Sequence, residues 1–216
     1  MSRADPTWLA GPVLGVAPRL LGAHVTTVLP DGVVSVRLTE VEAYDGENDP
    51  GSHAYRGRSA RNAVMFGPAG YLYVYRHLGL HCCANVVTGV AGRASAVLLR
   101  AGEVVVGADL ARDRRRRRGV VSTDVDLARG PARLADALGI DLTMYGVDLL
   151  DEAGPVRLVP PAQPLEHVTG PRVGVSGAGG DAVAHPWRFW LPDEPTVSAY
   201  RPAEPRRRSQ RGRAGP

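Results

Sequence analysis

The chain has 216 residues, 44% of them hydrophobic, with a net charge of +4 and a pI near 9.4. That suits one globular domain with its own core, and no apolar run reaches the roughly 18 residues that span a bilayer. All 26 basic residues are arginine, so no side-chain amine is present for Schiff-base chemistry, while guanidinium groups suit a polyanionic partner.

The N-terminal apolar stretches are broken by Pro6, Pro12 and Pro18 and lack the basic start and cleavage site of a signal peptide, so a cytoplasmic protein is expected. Asp5-Pro6 reads as a helix start, and a second helix is predicted over residues 13–21. Two β-branched runs around Pro30-Asp31-Gly32 then predict a hairpin. Residues 45–70, rich in Gly, Asn, Asp, Ser and Arg, read as a long loop, either functional or disordered. "GYLYVYRHLGLHCCANVVTG" reads as strand, turn and strand, and "SAVLLRAGEVV" as a further strand. "GADLARDRRRRRG" reads as a helix ending in an arginine run, and "ARGPARLADALGI" as a helix with proline near its start. "GPVRLVP", "PRVGVSGAG" and "PWRFWLP" read as short strands. The order is mixed rather than βαβ, so the class is α+β. The arginine-rich segment of residues 202–216 cannot bury a core and is expected to be a disordered tail on a domain of residues 1–201.

Several clusters could carry chemistry. Alternation along a strand puts Glu40, Glu42 and Tyr44 on one face and Val41 and Ala43 on the other. The acidic face has two readings. It is the solvated side of a half-exposed strand, or a carboxylate set beside His53, Tyr55, Arg56, Arg58, Arg61 and Asn62 to act as a general base. Tyr71, Tyr73 and Tyr75 are an ordinary aromatic strand or a stacking surface for a flat ligand such as a base. His77, His81, Cys82 and Cys83 imitate a metal site. However, Gly79 and the strand-like flanks oppose a helix, and neighbouring cysteines cannot easily ligate one ion, so no metal is expected. The two cysteines read as reduced thiols. Residues 114–118 are expected to be a solvated helix end, and the tail arginines a weak, non-specific tether to phosphates.

"EVEAY…H…RGR…RN..MF", "YLYVY…G…C.AN", "VLLRA", "RGPARLADALGI", "PRVGVS", "PWRFW" and "VSAY" together resemble the alkyladenine (3-methyladenine) DNA glycosylase family, from about residue 11 to residue 200. The resemblance implies a compact single domain with a curved, mainly antiparallel sheet flanked by helices. It implies flipping of a damaged purine out of duplex DNA and hydrolysis of its N-glycosidic bond by a monomer in the nucleoid, with no cofactor. Expected substrates start with 3-methyladenine and extend to 7-methylguanine, hypoxanthine and ethenoadenine. By resemblance Glu42 is the general base, and Arg100 and the backbone carbonyl of Val173 hold the attacking water. Tyr44, His53 and Tyr75 sandwich the flipped base, and Asn85 discriminates among purines. Leu78 stands where eukaryotic relatives insert a tyrosine into the gap in the duplex, and Arg56, Arg58 and Arg61 are expected on the DNA backbone. With no lysine, the abasic strand should be left uncut. One rival is a non-catalytic binder of damaged nucleic acid. Another is a glycoside hydrolase using Glu40 and Glu42, which two carboxylates on one side of a strand do not favour. Glu40 is then expected to make an ion pair or hydrogen bond near the site.

Overall fold

The structure, a computed structural model, describes residues 4–203. Most of the predicted arginine-rich tail therefore lies outside the described residues. Near the start, α1 (Val13–Val16) passes directly into a 3-10 turn, Ala17–Leu20, so the single helix predicted over residues 13–21 is two short pieces. Pro18 has no amide to continue the α-helical ladder, which explains the change. Val13, Val16, Ala17 and Leu20 still point inward and are buried.

The predicted hairpin is β1 (His24–Leu29) and β2 (Gly32–Tyr44). Then come β3 (Leu72–His77), β4 (His81–Val87) and β5 (Ala96–Val106). Helices α2 (Ala108–Arg116) and α3 (Pro131–Leu138) follow, and the chain closes with β6 (Val156–Val159), β7 (Val168–Gly170) and β8 (Arg188–Trp190). All the strands join one curved antiparallel sheet in the order β3-β4-β5-β2-β1-β6, with β8 on β2 and β7 on β8. The long strand β2 changes partner along its length. Its first half pairs with β1 and its second half with β8, while β5 runs along the other side. Register shifts against β5 at Ser35, Leu38 and Glu40 bend it, as β-bulges do.

One face of the sheet is the core. Val41, Ala43, Val74, Val86, Val97 and Leu99 pack there with Leu134, Ala135 and Leu138 of α3. Each fully buried valine or leucine there contributes roughly 1.5–3 kcal/mol. The opposite face, at its β3–β4–β5–β2 end, is covered by residues 45–70. This segment is an ordered loop with two 3-10 turns, Gly46–Asn48 and Ala63–Phe66. It turns sharply at Gly46, whose φ is 53°; a Cβ there would meet the Ala94 carbonyl oxygen at 2.1 Å.

Two local expectations are overturned. "PRVGVSGAG" holds no strand; β7 lies just before it, and the segment turns into a 3-10 turn, Gly177–Gly180. Gly174 and Gly177 have φ near 70°, which an extended strand does not permit. Nor are residues 114–118 wholly solvated. Arg114 and Arg115 are buried, Arg114 on Asp31 in the β1–β2 turn at 2.5 Å and Arg115 on Asp136 of α3 at 3.4 Å. The two guanidinium groups thus tie α2 to the sheet and to α3. Among the described residues, no helix is long and apolar enough to cross a membrane.

Candidate active site

Antiparallel pairing sets Tyr73, Asn85, Leu98, Glu42 and Arg188 in one row across β3, β4, β5, β2 and β8. Directly opposed residues project to the same face, so the register alone brings these side chains together. The rows on either side hold Tyr75 opposite Cys83 and, beyond Glu42, Tyr44 opposite Ala96. These rows floor a cavity of about 600 Å³, walled by His53 and Met65 of the loop, residues 173–176, and the first residues of α3. That volume lies within the usual range for small-molecule sites.

Arg100 reaches this face at a bulge: Ala101 pairs with Glu40 and Leu99 with Val41, leaving Arg100 unmatched between them. Leu98, two residues earlier on β5, also lines the cavity, so strand alternation puts Arg100 on the same face.

Glu42 lines the cavity and is fully buried; Glu40, two residues earlier on β2, is also fully buried but does not line it. The reading as a solvated acidic face is therefore wrong. Alternation was right, but strands flank β2 on both sides and loops cover the acidic face, so it does not meet solvent. Three donors converge on the Glu42 carboxylate. The Val173 amide donates to Oε1 at 2.7 Å, the Tyr44 hydroxyl donates to Oε2 at 2.8 Å, and Arg100 Nη1 stands 3.3 Å from Oε1. The contact that Val173 makes with Glu42 is through its N–H rather than its carbonyl.

Burial opposes the charge on Arg100, but Glu42 and Glu40 hold its guanidinium above its ordinary pKa. Burial likewise opposes the charge on Glu40, but Arg100 and Arg188 hold its carboxyl below the usual range. Burial and the Glu42 charge push Tyr44 well above the usual phenol value, so its O–H remains a donor. Behind Tyr44 sits Arg172, almost fully buried, its guanidinium 4.6 Å from the Tyr44 ring centroid and 5.2 Å from that of Trp187. Arg172 is forked onto Asp49 at 2.5 and 2.7 Å and also donates to the carbonyls of Ala43 and Gly179.

His53 and Tyr75 meet edge to face with centroids 4.5 Å apart, so they form one wall rather than two. His53 Nδ1 is 3.0 Å from the Tyr73 hydroxyl. Packing against these rings, then the charges of Arg61 and His77, lower the imidazole pKa, so the ring is neutral at pH 7. Burial pushes the Tyr73 phenol up to about 12 and the Cys83 thiol up to about 11, leaving Cys83 a poor nucleophile at neutral pH. Asn85 is buried and donates to the Tyr73 carbonyl at 3.0 Å, which fixes its amide at the cavity floor.

Glu42, Tyr44, His53, Tyr75, Asn85, Arg100 and Val173 thus line one cavity. Leu78 stands apart, 80% exposed at the tip of the β3–β4 hairpin. Arg56, Arg58 and Arg61 are exposed on the loop over the cavity. The Arg61 guanidinium lies 5.6 Å from the Tyr75 ring and that of Arg58 lies 5.9 Å from Phe66. Among the described residues, no group of three or more His, Cys, Asp or Glu is placed to hold a metal ion. Sequence reasoning missed Arg172, Asp49 and Ser198. Arg172 precedes Val173 in a motif read only for its valine, and Ser198 sits inside "VSAY"; nothing local marks their long-range partners.

The chain is similar to known proteins over most of its length. The family model described as Methylpurine-DNA glycosylase (MPG) matches residues 7–195. A protein of Streptomyces avermitilis named "Putative 3-methyladenine DNA glycosylase" is 55% identical over 204 residues, covering 93% of each chain. Proteins of the same name from Leifsonia xyli and Nocardia farcinica are 56% and 55% identical over 192 residues. They cover 87% and 86% of this chain, and 88% and 85% of their own.

Proposed function

The chain belongs to the methylpurine-DNA glycosylase family and is a DNA glycosylase, and on that premise we propose that it is a monofunctional hydrolase of base excision repair. Its substrates in duplex DNA are 3-methyladenine and, in no set order, 7-methylguanine, hypoxanthine and ethenoadenine. The purine swings out of the helix into the cavity and stacks between Tyr44 on one side and the His53–Tyr75 wall on the other. Asn85 meets its edge and rejects normal guanine. Leu78 fills the gap left in the duplex, and Arg56, Arg58 and Arg61 hold the backbone.

The observation that carries this reading is Glu42, a buried carboxylate with three ordered donors at the bottom of a cavity lined by aromatic rings. Departure of the purine leaves positive charge on the sugar, which a carboxylate in a water-poor site stabilises strongly. The electron pair of the C1′–N bond leaves with the base. A water held by Arg100 and Val173 adds to C1′ and gives its proton to Glu42. An N3- or N7-alkylated purine is already cationic, so it departs without a general acid and attracts the tyrosine faces.

The test is base release from methylated duplex DNA, read by chromatography, for the wild type and Glu42→Gln. Wild type should release 3-methyladenine, and the variant should lose about 10²–10⁴-fold in rate, as expected for a lost general base. Tight binding of damaged duplex by both proteins with no release by either would replace the hydrolase with a damage-binding protein.

A further inference from the structure

We propose that Glu40 and Ser198 form a cradle that orients Arg100 toward the reacting water, making them positioning residues; this rests on the assignment of Glu42 as the base. Each nitrogen of the Arg100 guanidinium has its own neighbour. Nε donates to Glu40 Oε1 at 2.8 Å, Nη2 donates to Ser198 Oγ at 3.2 Å, and Nη1 faces Glu42 Oε1 at 3.3 Å. The planar fork leaves no free rotation once two of its nitrogens are held. Only Nη1 is left for the cavity, and its separation from Glu42 is longer than the grip of Glu40.

Glu40 is itself immobilised. Its Oε1 also accepts from Arg188 Nε at 2.7 Å and Ser198 Oγ at 3.0 Å, and its Oε2 accepts the Ser198 amide at 2.7 Å. Ser198 is held in turn, because Arg188 Nη2 donates to its carbonyl at 2.6 Å. The strap around it is anchored by the Thr39–Thr196 hydroxyl contact at 2.8 Å and by Arg129 on the Val197 carbonyl at 3.0 Å. Glu40 and Arg188 cancel one another in charge. Without Glu40, Arg100 is free to close onto both oxygens of Glu42, a bidentate geometry that guanidinium and carboxylate favour. That closure would occupy the oxygen the water must reach.

The experiment measures single-turnover release of 3-methyladenine, affinity for the lesion duplex, and the melting temperature of Glu40→Gln, Ser198→Ala and Ser198→Thr. Misplacing a catalytic group by about 1 Å costs about 10²-fold. Glu40→Gln should lose about that much rate, and Ser198→Ala a smaller part of it. Both should bind lesion duplex within about twofold of wild type. Ser198→Thr keeps the hydroxyl and should recover most of the Ser198→Ala loss. If Glu40→Gln does not fold, the two Ser198 variants decide. The cradle fails if folded variants release base at the wild-type rate while Glu42→Gln is inactive. It also fails if rate and binding fall together, or if threonine rescues nothing. Release by Glu42→Gln at the wild-type rate would instead remove the base assignment beneath it.

Discussion

Leu78 has a φ of 49°, and Gly79 beside it has 73°. The Leu80 amide closes the turn on the His77 carbonyl at 3.0 Å. The left-handed region costs an L-residue roughly 1–2 kcal/mol, which glycine avoids at the second position and leucine does not at the first. An asparagine would suit the position better, and an exposed leucine gains nothing from burial there. Strain of this kind is a reason to look for function, and a stacked gap in DNA is a place where the side chain would be buried. Leu78→Ala should leave the melting temperature unchanged. It should slow release of 3-methyladenine from a paired duplex roughly 10-fold, the equivalent of about 1.4 kcal/mol of lost burial in the flipped complex. With the lesion inside a mismatch bubble, already unpaired, the ratio of wild-type to variant rates should fall toward one. An equal loss on both substrates would assign Leu78 to binding or folding rather than to wedging. The turn itself was legible in the sequence from Gly79 and the flanking strand patterns; the conformation of Leu78 was not, because φ is set by hairpin closure rather than by the identity of the residue.

Among the elements, the strands other than β7 were legible because β-branched runs alternate and turn residues bound them, whereas β7 lies just before the segment expected to hold it. Their partners were not. Nothing in "TEVEAY" says that β2 has β5 on one side and β8 on the other, so the burial of Glu40 and Glu42 could not be read from the pattern. The bulge at Arg100 is a property of the pairing, and the motif alone marked the residue. The same holds for the tie between the 45–70 loop and the segment that carries Val173. Asp49 and Arg172 are fully and almost fully buried, lie far apart in the chain, and meet through two hydrogen bonds behind Tyr44. Removing one member of a buried pair leaves an uncompensated charge and costs about 3–5 kcal/mol. Arg172→Met and Asp49→Ala should therefore each lower the melting temperature by roughly 10 °C. By contrast, Arg112→Ala breaks the pairs with exposed Asp109 and Asp124 and should leave it unchanged, since surface pairs contribute little. Thermal denaturation of the three variants side by side checks this. Equal small shifts would mean that the loop is held by packing alone.

Taken whole, the molecule turns one face of a curved sheet toward its α3 core and the other toward a cavity whose charges are balanced in place. Glu40, Glu42 and Asp49 are answered by Arg100, Arg188 and Arg172, all buried. Charged groups arranged in this way need no reorganisation when charge develops on a sugar, which is how such a site assists the reaction. The choice of arginine for every base has a further consequence. A guanidinium stays protonated and cannot attack an aldehyde, whereas strand cleavage at an abasic site through a covalent imine needs a neutral amine. The chain contains no lysine and so offers no side-chain amine, and Arg100, the cation nearest Glu42, is held still further from deprotonation by its carboxylate neighbours. The chemistry should therefore stop at the abasic sugar. Pure protein incubated with an end-labelled lesion duplex should release base while the labelled strand stays full length on a denaturing gel, and hot alkali should then cut it at the lesion. Sodium borohydride added during turnover should capture no protein–DNA adduct. A borohydride-stable adduct, or a nick before alkali, would show an amine at work at the sugar, and the enzyme would have to be reclassified as bifunctional.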